Sequence, residues 1–355
     1  MILKALRARA AKWLSVEMAA LSKAGRGCSR SRMGMHMKKS AGIILAIAFA
    51  VVGCSAVSVA AGFQKVSSHA FYFESKSSGL NTGIIVTPDG VLLIDPPSES
   101  EIAGFLTSMK TVTSRSVRWV LSTDYSRANS AVLNLLVKQG ATILLGRDLD
   151  RLAASMPAAD PAQPPSPRPI PRMLFSRQLQ LNPGSMEIRI LALKAKAHTA
   201  GDVIAYLPAE KVLFVGGFFV PSGFPEIDFQ LGEGTAAGWM DALKQVIDFA
   251  PALKSAMPQS KQEPQTQSPP AKGGEPEKSP EETMVVITGQ GTPTNLQDLK
   301  DVLVAAQKLK TQTARAVAAG RDRDEFVRSL ETETFGGFQN FYLFASQLFD
   351  DLSKK

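Results

Sequence analysis

Cysteine is almost missing from this chain: Cys28 and Cys54 are the only two, and both fall within the first 54 residues. No disulfide can therefore hold the rest of the protein together, and no cysteine-based zinc centre can form there. Histidine is nearly as scarce, with three in all and only His69 and His198 beyond residue 54. Acidic residues are missing from the beginning, where residues 1–54 carry 10 Lys and Arg against Glu17 alone. The formal charge of +8 belongs to that stretch, because the remainder holds 30 basic against 31 acidic residues. A nucleic-acid-binding domain needs positive charge on its folded surface, so that class is set aside. No internal repeat of solenoid period is present. Gly289-Gln290-Gly291 is too short to cradle a phosphate and belongs to a turn.

From Met37 the sequence reads Met-Lys-Lys-Ser and then runs from Ala41 to Gly53 without a charge, the pattern of a secretory signal. The basic residues upstream are either an over-long start or an extended n-region. Three fates are open to the apolar run. Val51-Val52-Gly53-Cys54 looks like a bacterial lipobox with Cys54 as the lipid carrier, since a lone cysteine there has no packing or disulfide role. Val59-Ala60-Ala61 before Gly62 has the small residues of an ordinary cleavage site. The uncharged stretch between Ser40 and Gln64 is also long enough to stay as a membrane anchor. All three export the rest of the chain. The expectation is a leader over residues 1–61 and one globular domain over 62–355, periplasmic or held at a membrane as a lipoprotein.

Beyond the leader, strands are expected at 69–74 and 81–87, and Pro88-Asp89-Gly90 turns the chain into a third at 91–94. Ser98-x-x-Glu101 is a capping box that opens a helix to about Met109. Residues 117–121 are apolar enough for a strand buried on both faces. Val132, Leu135 and Leu136 then mark a helix, and 141–145 another strand. This alternation predicts a layered α/β fold. Seven prolines over 156–172 exclude an interior element, so that tract is expected as a surface loop. Strands at 178–181, 186–193, 203–207 and 212–215 predict a second sheet, followed by a helix at 235–249. Residues 258–283 are Pro, Gln, Lys and Glu with almost no apolar side chain, a disordered insert that interrupts the domain without ending it. A short strand at 284–287 and helices over 295–318, 324–330 and 339–352 complete the chain.

Four segments in order carry a resemblance. Leu80-Asn81-Thr82-Gly83 with Gly90-Val91-Leu92-Leu93-Ile94-Asp95, then Thr123-Asp124-Tyr125-Ser126, then Ala197-His198-Thr199-Ala200-Gly201-Asp202, then Thr288-Gly289-Gln290-Gly291-Thr292-Pro293 are similar to the motifs of the metallo-β-lactamase superfamily. Lys211 to Gly217 resembles the strand that ends in its metal-bridging Asp, and Pro225, Asp228 and Trp239 suit exported bacterial members. The resemblance covers roughly Ala70 to the end apart from the two proline-rich stretches, and it implies a four-layer αββα sandwich.

That family holds one or two metal ions on Thr-His-x-His-x-Asp-His, and aligned on Thr123 the ligand positions here read Asp124, Ser126, Ala128 and Asn129. Gly217 stands at the bridging Asp and Gln290 at the last His, so only Asp124 and His198 keep ligand-type side chains. A catalytic zinc site needs about three protein ligands and an open position. The resemblance therefore implies the fold with most of its metal ligands lost and no cofactor.

Each residue of the degenerate pocket has a plainer reading. His198 is either a residual ligand or base beside Asp124, or a histidine kept by the turn around Thr199. Asp124 is either a base or an acceptor of backbone N–H groups at a helix start. Arg127 either replaces ion charge with guanidinium or is a solvated surface side chain. A Ser126-His198-Asp124 triad has no sequence signal such as a nucleophile elbow. Aromatic residues from Phe335 to Phe349 suit core packing, and His69 suits a sheet edge. The expected role is a non-catalytic pseudo-enzyme binding an unidentified small ligand or protein partner through Asp124, Ser126, Arg127, Asn129, His198 and Gln290. The alternative is a hydrolase of ester, lactam or thioester type, using zinc with Asp202 or Asp228 as extra ligands or no metal through Asp124 and His198.

Overall fold

The computed structural model describes residues 62–155, 172–252, 284–330, 335 and 337–354. The leader with Cys54, the proline-rich tract from 156 to 171 and the insert at 258–283 lie outside the described residues.

Strand and helix patterning sorts the chain into two sheets. The first contains β1 (Phe63–Lys65), β2 (Ala70–Glu74), β3 (Asn81–Thr87), β4 (Gly90–Ile94), β5 (Val117–Leu121), β6 (Thr142–Gly146) and β7 (Arg172–Phe175), lying side by side in chain order. Pairing is antiparallel up to β4 and parallel from β4 to β7. Parallel neighbours need crossovers, and α1 (Ile102–Met109), α2 (Ser130–Lys138) and α3 (Arg147–Ser155) supply them. The second sheet runs β8 (Gln178–Leu181), β9 (Ile188–Ala192), β10 (Val203–Leu207), β11 (Val212–Gly216), β12 (Val285–Thr288) and β13 (Thr294–Asn295), again in chain order. Its one parallel pair is β11 with β12, and α4 (Ala236–Ala252) lies between them in sequence. Helices α5 (Leu296–Ala318), α6 (Arg323–Arg328) and α7 (Phe341–Ser353) come last.

The period of two along β10 shows how the layers stack. Val203, Ala205 and Leu207 join the first sheet's Ile84, Leu93 and Val120 in one buried cluster. Ile204 and Tyr206 join Trp239 and Leu243 of α4 and Leu299 and Leu309 of α5 in another. β11 alternates likewise, with Val212 and Phe214 in the first cluster and Leu213 and Val215 in the second. Both faces of this sheet are covered, which is why its central strands read as unbroken apolar runs. The layers are helix, sheet, sheet, helix, the expected αββα sandwich.

Three short strands have no counterpart among the expected elements. β1 and β13 are too short and polar to alternate, and β7 begins at Arg172, so the expected loop to 172 ends one residue sooner. The capping box also differs. Ser98 Oγ donates to Glu101 Oε2 at 2.9 Å instead of accepting from a backbone N–H, and the helix starts after Glu101, whose carboxylate also accepts from Ser75 and Ser77. Glu101 ties the β2–β3 loop to the start of α1.

Candidate functional site

The site is built where both sheets end in polar turns. After Leu121 the chain enters Ser122, Thr123 and Asp124, all three buried. Thr123 donates through its N–H and its hydroxyl to the two carboxylate oxygens of Asp95, each at 2.7 Å. Asp95 comes directly after β4 with a left-handed φ of 53° and is buried itself. Burial drives the Asp95 carboxyl up to about 6 with Asp124 adding to the rise, while the Arg127 charge and the Thr123 hydrogen bonds oppose it.

Asp124 caps the 3-10 turn Tyr125–Arg127. Its Oδ1 accepts from the N–H groups of Ser126 at 2.8 Å and Arg127 at 3.3 Å and from the Ser126 hydroxyl. Among the described residues no hydrogen bond reaches Asp124 Oδ2. Arg127 is half-buried, and its Nη2 donates to the carbonyls of Asn81 at 2.8 Å and Asp95 at 3.3 Å. It braces the ends of β3 and β4, which the solvated reading did not allow. Tyr125 donates its hydroxyl to Asp228, fastening this loop to the segment after β11.

His198 comes from the turn between β9 and β10. Thr199 donates its N–H and hydroxyl to Asp202 at 2.8 and 2.6 Å, which fixes that carboxylate beneath the ring. His198 Nδ1 lies 3.4 Å from Asp202 Oδ1, an ion-pair distance without a well-directed hydrogen bond. Burial disfavours the charged ring, but Asp202, then Asp124 and Asp228, outweigh it and push His198 up to about 9. Because the folded value exceeds the ordinary 6.5, the charged ring stabilises the fold fully below pH 6.5, and that contribution is lost as pH rises through 9. Urea unfolding across this window should show a loss on the order of 2–3 kcal/mol that His198→Gln abolishes. A ring titration by NMR near the ordinary histidine value would overturn this.

Gln290 sits in the turn between β12 and β13 and pairs with Leu80. Asn81 holds that turn in place. Its N–H donates to Gly289 O at 2.7 Å and its amide nitrogen to the carbonyls of Thr288 at 2.9 Å and Gly291 at 2.7 Å.

Asp124, Ser126, Arg127, His198 and Gln290 line one cavity of ≈ 290 Å³. Leu80, Phe219, Val220 and Pro225 give it an apolar side, and Glu226 and Asn340 complete its polar side. Asn129 is corrected: it caps α2 by accepting from Ala131 and Val132 N–H groups at 3.0 and 3.1 Å, and it lines a smaller neighbouring cavity of ≈ 180 Å³. Glu226 and Asn340 escape sequence reasoning because neither belongs to a motif. A second cavity of ≈ 510 Å³ shares His198 and Glu226 and extends along Asp228 and Phe229.

The donor set does not fit a zinc ion. A Cβ built on Gly217 would meet Asp124 Oδ2 at 3.2 Å and His198 Cε1 at 3.6 Å, so both residues converge on a glycine that offers no ligand atom. Asp202 is engaged by Thr199 and His198, and Asp228 by Tyr125 and the N–H groups of Gln230 and Leu231. Among the described residues no three His, Cys, Asp or Glu side chains come together to hold a metal. The triad also fails, because the Ser126 hydroxyl is donated to Asp124 and the imidazole turns to Asp202. Among the described residues no helix is long and apolar enough to cross a membrane.

No protein-family model matches the sequence, and a search of curated proteins finds no match. Solved structures do resemble it. A metallo-β-lactamase from Pontibacter korlensis is 18% identical over 69% of this chain and 98% of its own, with a TM-score of 0.50. A double mutant of the sec-alkyl sulfatase PisA1 is 13% identical over 83% of this chain, with a TM-score of 0.58, and the match spans 50% of the sulfatase. These likenesses give this chain the metallo-β-lactamase fold.

Proposed function

We propose that this chain, a metallo-β-lactamase fold, is an exported binding protein that has given up the metal chemistry of that fold. It is carried across a membrane by the leader over 1–61, released or held by a lipid on Cys54, and its domain over 62–355 binds a small ligand or a protein partner. One observation supports the reading above the others: Asp124 and His198 face Gly217, so the centre of the cavity has two donor side chains where zinc catalysis needs about three. The cavity itself is kept. Arg127 and Asn81 hold its rim through backbone carbonyls, and its lining is still mixed polar and apolar, as binding sites are.

The test is metal content. The full-length chain purified from zinc-supplemented cells should carry zinc, iron and manganese far below one per chain, and chelator should leave its unfolding midpoint unchanged. Near-stoichiometric metal that disappears in an Asp124→Ala, His198→Ala double variant would overturn the reading. A second reading, hydrolysis without metal, has one observation in its favour: Asp124 Oδ2 opens into the cavity with no hydrogen bond. Screening ester, lactam and thioester substrates separates the two, because turnover abolished by Asp124→Asn would make the protein an enzyme.

A further inference from the structure

The charges around the cavity do not cancel, and their pairing shows which remain. His198 has its counter-charge in Asp202 at 3.4 Å. Arg127 has its own in Asp95, whose carboxyl the guanidinium stabilises in ionised form and whose carbonyl it holds at 3.3 Å. Asp228 is turned to Tyr125 and to the backbone of its own loop. Two carboxylates of the lining, Asp124 and Glu226, make no ion pair of their own among the described residues, although Asp124 shares the field of the charged His198, and with Asp95, Asp202 and Asp228 they set five carboxylates against the two cations Arg127 and His198. They differ in setting: Glu226 is exposed at the rim, whereas Asp124 is 2% exposed. The three donors on Asp124 Oδ1 fix its carboxylate so that Oδ2, bonded to nothing among the described residues, points to the open side at Gly217.

Oδ2 is the acceptor that this carboxylate leaves open to the cavity, and an ammonium there would give it a charge-assisted hydrogen bond. The ligand must carry that donor on an apolar body, because Leu80, Phe219, Val220 and Pro225 form the other side of the same cavity. A volume of ≈ 290 Å³ suits a small molecule and not a peptide chain. An ammonium also matches the surplus of negative charge, which a carboxylate ligand would increase.

We propose that the cavity binds a small organic amine, with its ammonium donated to Asp124 Oδ2 beside Glu226 and its apolar part against Leu80, Phe219 and Val220. This rests on the reading of the domain as a binding protein and names the ligand class of its site. Calorimetric titration of the full-length chain near neutral pH with benzylammonium, benzyl alcohol and benzoate tests it. Benzylammonium should bind about tenfold or more tightly than benzyl alcohol, and benzoate least. Asp124→Asn, which keeps an oxygen for the Ser126 and Arg127 N–H groups, should remove that preference while the chain still unfolds cooperatively. Glu226→Gln, at an exposed position, should weaken benzylammonium severalfold and leave benzyl alcohol unchanged. Absence of benzylammonium binding, benzoate binding as well as the amine, or amine affinity unchanged in both variants would overturn the inference. Metal content measured on the same sample keeps the two readings apart. Stoichiometric metal removes the binding-protein reading, whereas a metal-free chain indifferent to benzylammonium removes the amine alone.

Discussion

Trp239→Ala should lower the stability of the fold by about 3–5 kcal/mol, the usual cost of deleting a buried aromatic side chain. Trp239 is wholly buried on α4 and packs its ring against Phe344 at 5.1 Å, Phe224 at 6.2 Å and Phe218 at 6.4 Å. These rings join α4, α7 and the segment after β11, so the void would open where three pieces of chain meet. The indole adds a polar tie, donating Nε1–H to Phe218 O at 2.8 Å. Truncation leaves that carbonyl without its partner, which costs about 1–3 kcal/mol in a buried position. Trp239→Phe separates the two contributions, since it retains much of the packing and loses the bond. Urea unfolding of both variants should place Trp239→Phe between the wild type and Trp239→Ala. A loss below about 1 kcal/mol for Trp239→Ala would mean that the three segments do not depend on this ring.

Gly216→Ala should be nearly as damaging and should strike the cavity directly. Gly216 ends β11 with a φ of 56°, a conformation that costs an ordinary L-residue about 1–2 kcal/mol. An added Cβ would lie 1.8 Å from Thr123 Oγ1 and 2.5 Å from its Cβ, distances at which backbone must move. Overpacking of this kind costs about 1–3 kcal/mol more. The displaced residue is the one that satisfies Asp95 with two hydrogen bonds and precedes Asp124. The variant should therefore lose roughly 2–5 kcal/mol by denaturant unfolding and also lose ligand binding at temperatures where it is still folded. Binding that survives intact would show that Thr123 does not set the position of Asp124. Gly217→Ala is a control for stability alone, because its Cβ would meet nothing closer than 3.2 Å but the atom it meets there is Asp124 Oδ2 inside the cavity.

The layers are legible because burial on both sides writes itself into sequence. β10 and β11 are apolar at every position that faces either core, and Pro88-Asp89-Gly90 marks the hairpin between β3 and β4. The shortest edge strands carry no such signal, although the edge strand β8 is legible. β1 is Phe-Gln-Lys and β13 Thr-Asn, and each is recognisable only once its neighbour is in place. At the site, Asp124, Ser126, Arg127, His198 and Gln290 can be found because the turns that hold them have a recognisable form. Glu226 and Asn340 cannot, since they reach the cavity from the segment after β11 and from the position before α7. Arg127 misleads for a related reason. Its partners are backbone carbonyls of Asn81 and Asp95, and backbone acceptors leave no trace in residue type. The same applies to Asn81, whose role depends on carbonyls more than 200 positions away.

The strict chain order of both sheets has a consequence in time. A strand that neighbours its predecessor can pair as soon as it is made, so the first sheet can assemble during synthesis from the beginning of the chain. The second sheet grows in the same direction but must wait between β11 and β12 while α4 and the residues up to 284 are made. Only then does the Gly289–Gly291 turn come back to Asn81, closing a loop of 207 to 210 residues. The cavity is thus completed late, since Gln290 and then Asn340 join its lining only after the first sheet has been made. A chain that stops before Gln290 can hold the whole first sheet and most of the second and still lack one side of the cavity.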